Sequence, residues 1–141
     1  MGTGVQLPNF LALLAETYGK EERAEEGLAV LAEALATVNK TEERWYDAEL
    51  YRLKGELMLQ AEYHDAGTEA EQCFQQALVI ARRQSAKSWE LRASTSLARL
   101  WQQQGKRDEA RQMLAEIYGW FTEGFDTKDL QEAKALLAEL T

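Results

Sequence analysis

Residues Trp89–Leu114 read WELRASTSLARLWQQQGKRDEARQML, and this stretch decides the fold class. Apolar residues recur at the spacing of one helix face up to Trp101, and they do so again from Ala110 onward. The residues between the two runs are polar, and Gly105 among them favours the end of a helix. The stretch therefore predicts two consecutive helices that fold back on each other.

The same helical spacing continues through most of the chain, whereas strand-like alternation of apolar and polar residues is nearly absent. The predicted apolar stripes are Phe10, Leu11, Leu13, Leu14 and Tyr18; Leu28, Leu31 and Leu35; Trp45, Leu50, Leu53, Leu57 and Met58; Phe74, Ala77, Leu78 and Ala81; Leu91, Leu97, Leu100 and Trp101; Ala110, Leu114 and Ile117; and Leu130, Ala133, Leu137 and Leu140. This pattern predicts an all-α fold of three helix pairs and one last helix.

Helix starts are predicted from residues whose side chains can accept a hydrogen bond from the free N–H groups of a first turn. The candidates are Thr41 for the third helix, Thr68 with Glu71 as a capping box for the fourth, Ser85 or Ser88 for the fifth, and Asp126 or Thr127 for the last.

The bulk composition fits one domain over residues 1–141. The net charge of −8 repels polyanions, so nucleic acid is not an expected partner. No run of about 18 apolar residues predicts a membrane span, so no membrane contact is expected either. The single cysteine, Cys73, excludes an internal disulfide and fits a cytoplasmic location.

Charge is distributed unevenly along the chain. Residues 1–81 carry 6 basic and 15 acidic groups, whereas residues 82–111 carry 8 basic and 3 acidic groups. Three interpretations of the basic segment are open. It could be an ordinary solvated helix face, a docking patch for an acidic partner, or a contact with an acidic part of the same chain.

The chain contains internal repeats. Residues 13–34, LLAETYGKEERAEEGLAVLAEA, match residues 96–117, SLARLWQQQGKRDEARQMLAEI, in the spacing of their apolar and small residues. Residues 53–77, LKGELMLQAEYHDAGTEAEQCFQQA, form a middle unit whose loop is three residues longer. The matching small residues are Ala15, Gly55 and Ala98 on the first helices and Gly27, Ala70 and Ala110 on the second helices. The large residues beside them are Leu31, Phe74 and Leu114.

This pattern resembles the tetratricopeptide repeat, in which small residues let two helices cross closely. The resemblance implies a superhelix of three antiparallel helix pairs, over residues of about 8–40, 41–84 and 85–121, followed by a capping helix at 127–140. The chain departs from the family because Gly27, Ala70 and Ala110 lie 43 and 40 residues apart instead of 34. It also lacks the family's proline after each second helix. Longer helices or looser turns are therefore expected.

A narrower resemblance rests on three segments. Residues 45–59, WYDAELYRLKGELML, residues 73–101, CFQQALVIARRQSAKSWELRASTSLARLW, and residues 119–137, GWFTEGFDTKDLQEAKALL, are similar to the C-terminal repeat region of large bacterial signalling proteins. Those proteins carry a nucleotide-hydrolysing module, often with a nucleotide cyclase or DNA-binding module. The resemblance implies a fragment or a free-standing relative of such a protein, and it makes the other domains of a larger protein candidate partners.

The tetratricopeptide family lines a concave groove with its first helices, and the groove holds an extended peptide or a partner helix. Transferring the groove positions gives Asn9, Glu16 and Lys20 from the first pair, Glu49, Arg52, Glu56 and Gln60 from the second, and Arg92, Thr95, Arg99, Gln102 and Gln103 from the third. Arg52, Arg92 and Arg99 are expected to clamp a carboxylate or an acidic peptide segment through paired N–H donors.

Residues for catalysis, metal binding or cofactor binding are not predicted. MGTGV at residues 1–5 follows no strand and is not a phosphate loop. His64 with Asp65 is the one candidate acid–base pair, and both residues are expected to lie in a solvated loop. One histidine with the distant Cys73 cannot supply the three or four ligands of a metal site. Among the aromatic residues, Trp101 is expected in the core. Trp45, Tyr46 and Trp89 are expected between helix pairs or at a ligand lip, and Trp120, Phe121 and Phe125 are expected to seat the last helix.

Three functions follow as hypotheses. The first is a non-catalytic protein–protein interaction module, forming the regulatory or scaffold end of a bacterial signalling protein. The second is a structural repeat domain that forms a homodimer through its open N-terminal helix pair. The third is an enzyme, which the missing catalytic residues disfavour.

Overall fold

Every regular element in the described chain is an α-helix, so the predicted all-α class is confirmed. The structure is a computed structural model that describes residues 13–41, 47–62 and 65–141. The first helix, α1, is helical over residues 13–20. The others are α2 (Ala24–Thr41), α3 (Asp47–Ala61), α4 (Ala66–Arg83), α5 (Lys87–Gln103), α6 (Arg107–Tyr118) and α7 (Lys128–Leu140).

α4 starts near Thr68, as predicted, but the capping roles predicted for Thr41 and Thr68 are wrong. Thr41 is the last residue of α2 rather than the cap of α3. Thr68 lies inside the first turn of α4, which begins at Ala66 without a side-chain capping bond. Asp65, the residue before the start of α4, has a left-handed backbone conformation with φ 61°. The capping box therefore does not form, because the chain enters α4 two residues earlier.

The serine caps predicted for α5 are also wrong, since α5 follows Ala86 and makes no side-chain capping bond. For α7 the predicted position is confirmed. Thr127 precedes the helix in an extended conformation, although its side chain makes no capping hydrogen bond.

The chain reverses direction at three turns, where backbone hydrogen bonds rather than side-chain caps close the end of the preceding helix. Glu22, Ser85 and Gly105 have positive φ angles of 60°, 54° and 83°. In each turn the next N–H donates to the carbonyl oxygen five residues earlier, which is the Schellman geometry at a helix C-terminus. These bonds run from Arg23 to Tyr18, from Ala86 to Ala81 and from Lys106 to Trp101, each at 2.8 Å.

Consecutive helices from α2 to α7 pack side by side, and α5 also contacts α3 on one side and α7 on the other. In the described residues α2 does not contact α4, and α4 does not contact α6. The odd-numbered helices therefore form one layer, and α4 and α6 lie outside it.

The helix crossings use the predicted small residues. Ala15, Gly27, Gly55, Ala70, Ala98 and Ala110 are all buried, as are Leu31, Phe74 and Leu114. At Gly55 an added Cβ would lie 2.5 Å from Cε1 of Phe74, so the ring of α4 packs directly against the backbone of α3. At Gly27 an added Cβ would lie 3.2 Å from the carbonyl oxygen of Ala15, so the backbones of α1 and α2 also lie close together there.

The aromatic residues before α7 divide into two groups. Phe121 is partly buried against the core cluster that contains the apolar face of α7. Trp120 and Phe125, in contrast, are 57% and 44% exposed, and Phe125 reaches this cluster through the ring of Tyr118, with the ring centroids 5.8 Å apart. Trp101 packs against the cores on both sides of α5, as expected.

Candidate binding surface

A polar cavity of about 140 Å³ lies on the inner side of α1, α3, α5 and α7, and it is named the central cavity here. Five of the residues predicted for the groove line it, namely Glu16, Arg52, Arg92, Thr95 and Arg99. Its remaining walls are Ser96 and three residues of α7, namely Lys128, Asp129 and Glu132. The predicted groove residues of three helices are therefore brought together at one place.

A second hollow of about 360 Å³ lies beside the central cavity, between α1 and α3, and is named the side hollow. It is lined by the predicted residues Lys20, Glu56 and Gln60, and it shares Glu16 and Arg52 with the central cavity. The Gln60 amide donates a 2.7 Å hydrogen bond to the carbonyl oxygen of Gly19, which ties α3 to the end of α1.

The remaining predicted groove residues lie elsewhere. Gln102 donates a long 3.4 Å hydrogen bond to Glu139 of α7. Gln103 is exposed and lines neither the central cavity nor the side hollow. Asn9, like His64 of the candidate acid–base pair, lies outside the described residues.

Glu49 is buried behind the central cavity, with 4% of its side chain exposed. It accepts two hydrogen bonds from Arg52, at 2.8 Å from Nε and 2.7 Å from Nη2. It also accepts one from Nη1 of Arg92, across the contact between α3 and α5. Glu49 is therefore a charged anchor between two helices and does not face a ligand.

Two opposing effects act on Arg52. Burial disfavours its charged form, but the hydrogen bonds and the charge of Glu49, with the charges of Glu56 and Glu16, raise its pKa above the ordinary value. Arg52 therefore stays cationic at every physiological pH. Its Nη1 also lies 3.4 Å from the Ser96 hydroxyl oxygen, so Arg52 too connects α3 to α5.

Two carboxylates of α7, which the sequence pattern does not predict for the site, reach the same arginines. Arg92 donates from Nε to both oxygens of Asp129, at 3.2 and 3.1 Å. Arg99 lies 3.6 Å from Glu132, which is an ion pair beyond hydrogen-bond distance. Of the three interpretations of the basic segment, these pairs favour contact with an acidic part of the same chain.

The arginines therefore do not form the free clamp that was expected for an acidic segment. Some donors remain available, because Nη2 of Arg92 makes no hydrogen bond in the described part of the chain, although the guanidinium lies 5.8 Å from the centroid of the Trp89 ring. Arg99 likewise makes no hydrogen bond there, and its one ion pair is the long contact with Glu132. Glu16 on the opposite wall has neither a hydrogen bond nor an ion pair to any described residue.

The position of α7 is held by apolar packing more than by these ion pairs. Leu130, Leu136 and Leu140 are each 3% exposed, and Ala133 is fully buried. Burying one such leucine contributes about 1.5–3 kcal/mol, whereas a partly exposed ion pair contributes about 0–1 kcal/mol. Loss of the ion pairs of Asp129 and Glu132 is therefore not expected to displace the helix.

A third hollow of about 630 Å³ lies on the outer side, between α4 and the turn after α5, and is named the outer hollow. Glutamines dominate its lining, and it contains no predicted site residue. Its glutamine residues are Gln72, Gln75, Gln76 and Gln104.

Cys73 is a buried free thiol beside Phe74, as the sequence predicts. Burial raises the pKa of the thiol, against the opposing charge of Lys54. No group of three or more potential metal ligands occurs in the part of the chain that the structure describes. No described helix is both long and apolar enough to span a bilayer.

Comparison of the chain with protein-family models, with curated proteins and with solved structures gives no match. The resemblance to the tetratricopeptide repeat therefore rests on the residues quoted above.

Proposed function

We propose that this chain is a non-catalytic, tetratricopeptide-like interaction module that binds a segment of a partner protein along the inner face of α1, α3 and α5. The crossings at Gly27 and Gly55 support this kind of architecture, because both occur at the positions where the family places small residues. The contacts among α3, α5 and α7 support a superhelix with these helices on its inner side.

The observation that carries the proposal is the continuity of the central cavity with the side hollow. The two share Glu16 and Arg52, so one continuous surface extends from Lys20 on α1 to Lys128 on α7; it is polar at the central cavity and also contains Leu53 and Leu57 in the side hollow. Stacked repeats use such an extended surface to bind partners.

Size favours an extended segment over a helix as the occupant. A helix with its side chains is about 10 Å across, whereas the central cavity has only about 140 Å³. That volume accepts one side chain. The charges that line the cavity are of both signs, which favours a segment of mixed charge over a strongly acidic one.

The proposal can be tested by selecting peptides from a phage-displayed random library against the immobilised chain. A selected peptide is then titrated into ¹⁵N-labelled protein and followed by two-dimensional NMR. We expect the amides of Glu16, Arg52 and Thr95 to shift, while those of Gln75 and Gln76 at the outer hollow stay in place. Shifts confined to the outer hollow, or no selected binder at all, would contradict the proposal.

A matched pair of variants tests the assigned face. Lys20→Glu with Arg99→Glu reverses two charges at the cavities, and both side chains lack strong ion pairs in the described structure. The control, Arg111→Glu with Lys134→Glu, makes the same change in net charge on exposed surfaces away from both cavities. The first variant is expected to bind the selected peptide about tenfold or more weakly than the parent protein does, and the control is expected to change the affinity by less than twofold.

The narrower resemblance makes the other domains of a larger signalling protein candidate partners. The genomic reading frame upstream of Met1 tests this directly. A frame that continues into a nucleotide-binding module supports a regulatory end, and a start signal just before Met1 supports a free-standing adaptor.

Self-association is the second candidate function, and one observation favours it. Leu13 on α1 is 57% exposed at the N-terminal helix pair, where a second copy could cover it. Light scattering over a range of concentrations distinguishes the two functions. A constant monomer mass contradicts self-association and leaves the interaction module as the proposal.

A further inference from the structure

The central cavity joins the two ends of the described chain. Glu16 lies on its α1 wall and Glu132 on its α7 wall, with α3 and α5 between them. A volume of about 140 Å³ holds on the order of five water molecules at roughly 30 Å³ each. That is the space of a small amino acid such as glycine or β-alanine.

The walls of the cavity offer hydrogen-bonding groups of both signs. On one side, Nη2 of Arg92 and the guanidinium of Arg99 are donors that the described structure leaves largely unused. On the other side, the carboxylate of Glu16 has no hydrogen-bonding partner among the described residues. A ligand with an anionic end and a cationic end would satisfy both sets.

The floor of the cavity is fixed before any ligand arrives. Ser96 is 2% exposed and lines the cavity. Behind it, Glu49 holds Arg52 and Arg92 in place through charge-assisted hydrogen bonds. Polar groups held in place before binding lose little conformational entropy on binding.

Charge balance selects among small ligands. Four cationic side chains and three carboxylates line the cavity, and the buried carboxylate of Glu49 neutralises the excess positive charge. A simple anion or a simple cation would be attracted by one set of groups and repelled by the other. A zwitterion is attracted by both sets if its two ends are matched to the opposite walls.

We propose that the central cavity binds a small zwitterion of the amino-acid type, with its carboxylate at Arg92 and Arg99 and its ammonium group at Glu16. This goes beyond the proposed function, because the ligand is a small molecule and not a segment of a partner protein. Since its two ends contact different helices, bound ligand links α1 to α5 and changes the surface that a partner segment meets.

The test is an NMR titration of the ¹⁵N-labelled chain at constant ionic strength. The probes are glycine, β-alanine and 4-aminobutyrate, which differ in the distance between their charges, with acetate and methylammonium as single-charge controls. Each is added to about 20 mM, well above a millimolar Kd. We expect at least one zwitterion to shift the amides of Thr95 and Ser96 in a saturable way, while acetate and methylammonium do not.

Two outcomes would overturn the proposal. Acetate that shifts the same amides as strongly as the zwitterions would show a plain anion site, and no saturable shift with any zwitterion would show a cavity that holds only water. A negative peptide selection does not bear on this titration, so failure of the proposed function and failure of the zwitterion site are distinguishable.

Variants assign the binding groups. Glu16→Gln and Arg99→Gln keep a polar side chain of similar size and remove one charge each, so each is expected to weaken zwitterion binding by about tenfold. The controls Glu116→Gln and Arg111→Gln, both exposed on α6, make the same changes away from the cavity and are expected to leave Kd within twofold. Equal losses in variants and controls would contradict the assignment.

Discussion

Gly55 is a residue with no room for a side chain. An added Cβ would lie 2.5, 2.9 and 3.0 Å from three atoms of the Phe74 ring, and that ring is fully buried. We expect Gly55→Ala to lower the free energy of unfolding by about 1–3 kcal/mol, because a packed aromatic ring must move. Urea denaturation monitored by circular dichroism measures the change.

The control for this substitution is Gly67→Ala in the first turn of α4. There an added Cβ meets only the flexible end of Gln104, at 3.5 Å. Because alanine favours helix over glycine, this variant is expected to be neutral or more stable by up to about 1 kcal/mol. If both variants lost the same stability, the close crossing of α3 and α4 would be wrong.

Glu49 is the residue on which the inner face depends for its charge balance. In Glu49→Gln, Arg52 and Arg92 lose the anion that they share, and Arg52 is 14% exposed in its side chain. We expect a loss of about 3 kcal/mol in the free energy of unfolding, since the arginine charge stays buried without its partner.

Glu56→Gln makes the same chemical change on the same helix, but Glu56 forms no ion pair with a described residue. Its effect is expected to stay within about 0.5 kcal/mol. The difference between the two variants in urea denaturation therefore measures the role of the buried carboxylate. A difference near zero would mean that the arginines find solvent or other partners.

At the scale of the element, three turns share one geometry but differ in the residue at their left-handed position. Only the turn after α5 has glycine there, whereas Ser85 and Glu22 occupy the equivalent positions after α4 and α1. We expect Ser85→Gly to raise the free energy of unfolding by up to about 1 kcal/mol and Gly105→Ala to lower it by about 1 kcal/mol.

Thermal denaturation of the two variants beside the parent protein measures both the expected rise and the expected fall in stability. Nothing lies within 4 Å of a Cβ added at Gly105, so the expected loss there comes from the backbone conformation alone. A stable Gly105→Ala variant would show that the turn changes its conformation without cost.

These turns also show how far the sequence can predict the elements. Gly105 signals its turn because glycine is the residue that tolerates a positive φ. Ser85 carries no such signal, so a serine beside a helix start suggested a side-chain cap that does not form. The crossings at Gly27 and Gly55 were predictable because the same spacing of a small residue and a large apolar residue recurs along the chain.

The site was predictable to a lesser degree. The inner face follows from helix periodicity, which places Arg92 and Arg99 two turns apart on one side of α5. Their partners on α7 lie 37 and 33 positions further along the chain. Periodicity within one helix cannot show which distant helix packs beside it. The pairing of the arginines therefore needed the three-dimensional packing.

At the scale of the whole molecule, the packing is unequal along the chain. The helix α5 packs against α3, α4, α6 and α7, whereas α2 has α3 as its one later neighbour. In a stack of repeats each unit is stabilised mainly by its neighbours, so a central helix is held on more sides than a terminal one. Local opening therefore requires less free energy at α2 than at α5.

Native-state hydrogen exchange measured by mass spectrometry tests this gradient. Among α2 to α7, we expect the amides in the middle of α5 to exchange slowest and those of α2 to exchange fastest. The difference should be about tenfold or more under conditions in which each helix opens and closes many times before it exchanges. The matched comparison is Gly55→Ala, which should speed exchange in α3 and α4 more than in α7. Uniform exchange in all the helices would show that the chain opens as one cooperative unit. The proposed binding of a partner segment would then not be coupled to local opening of the N-terminal helices.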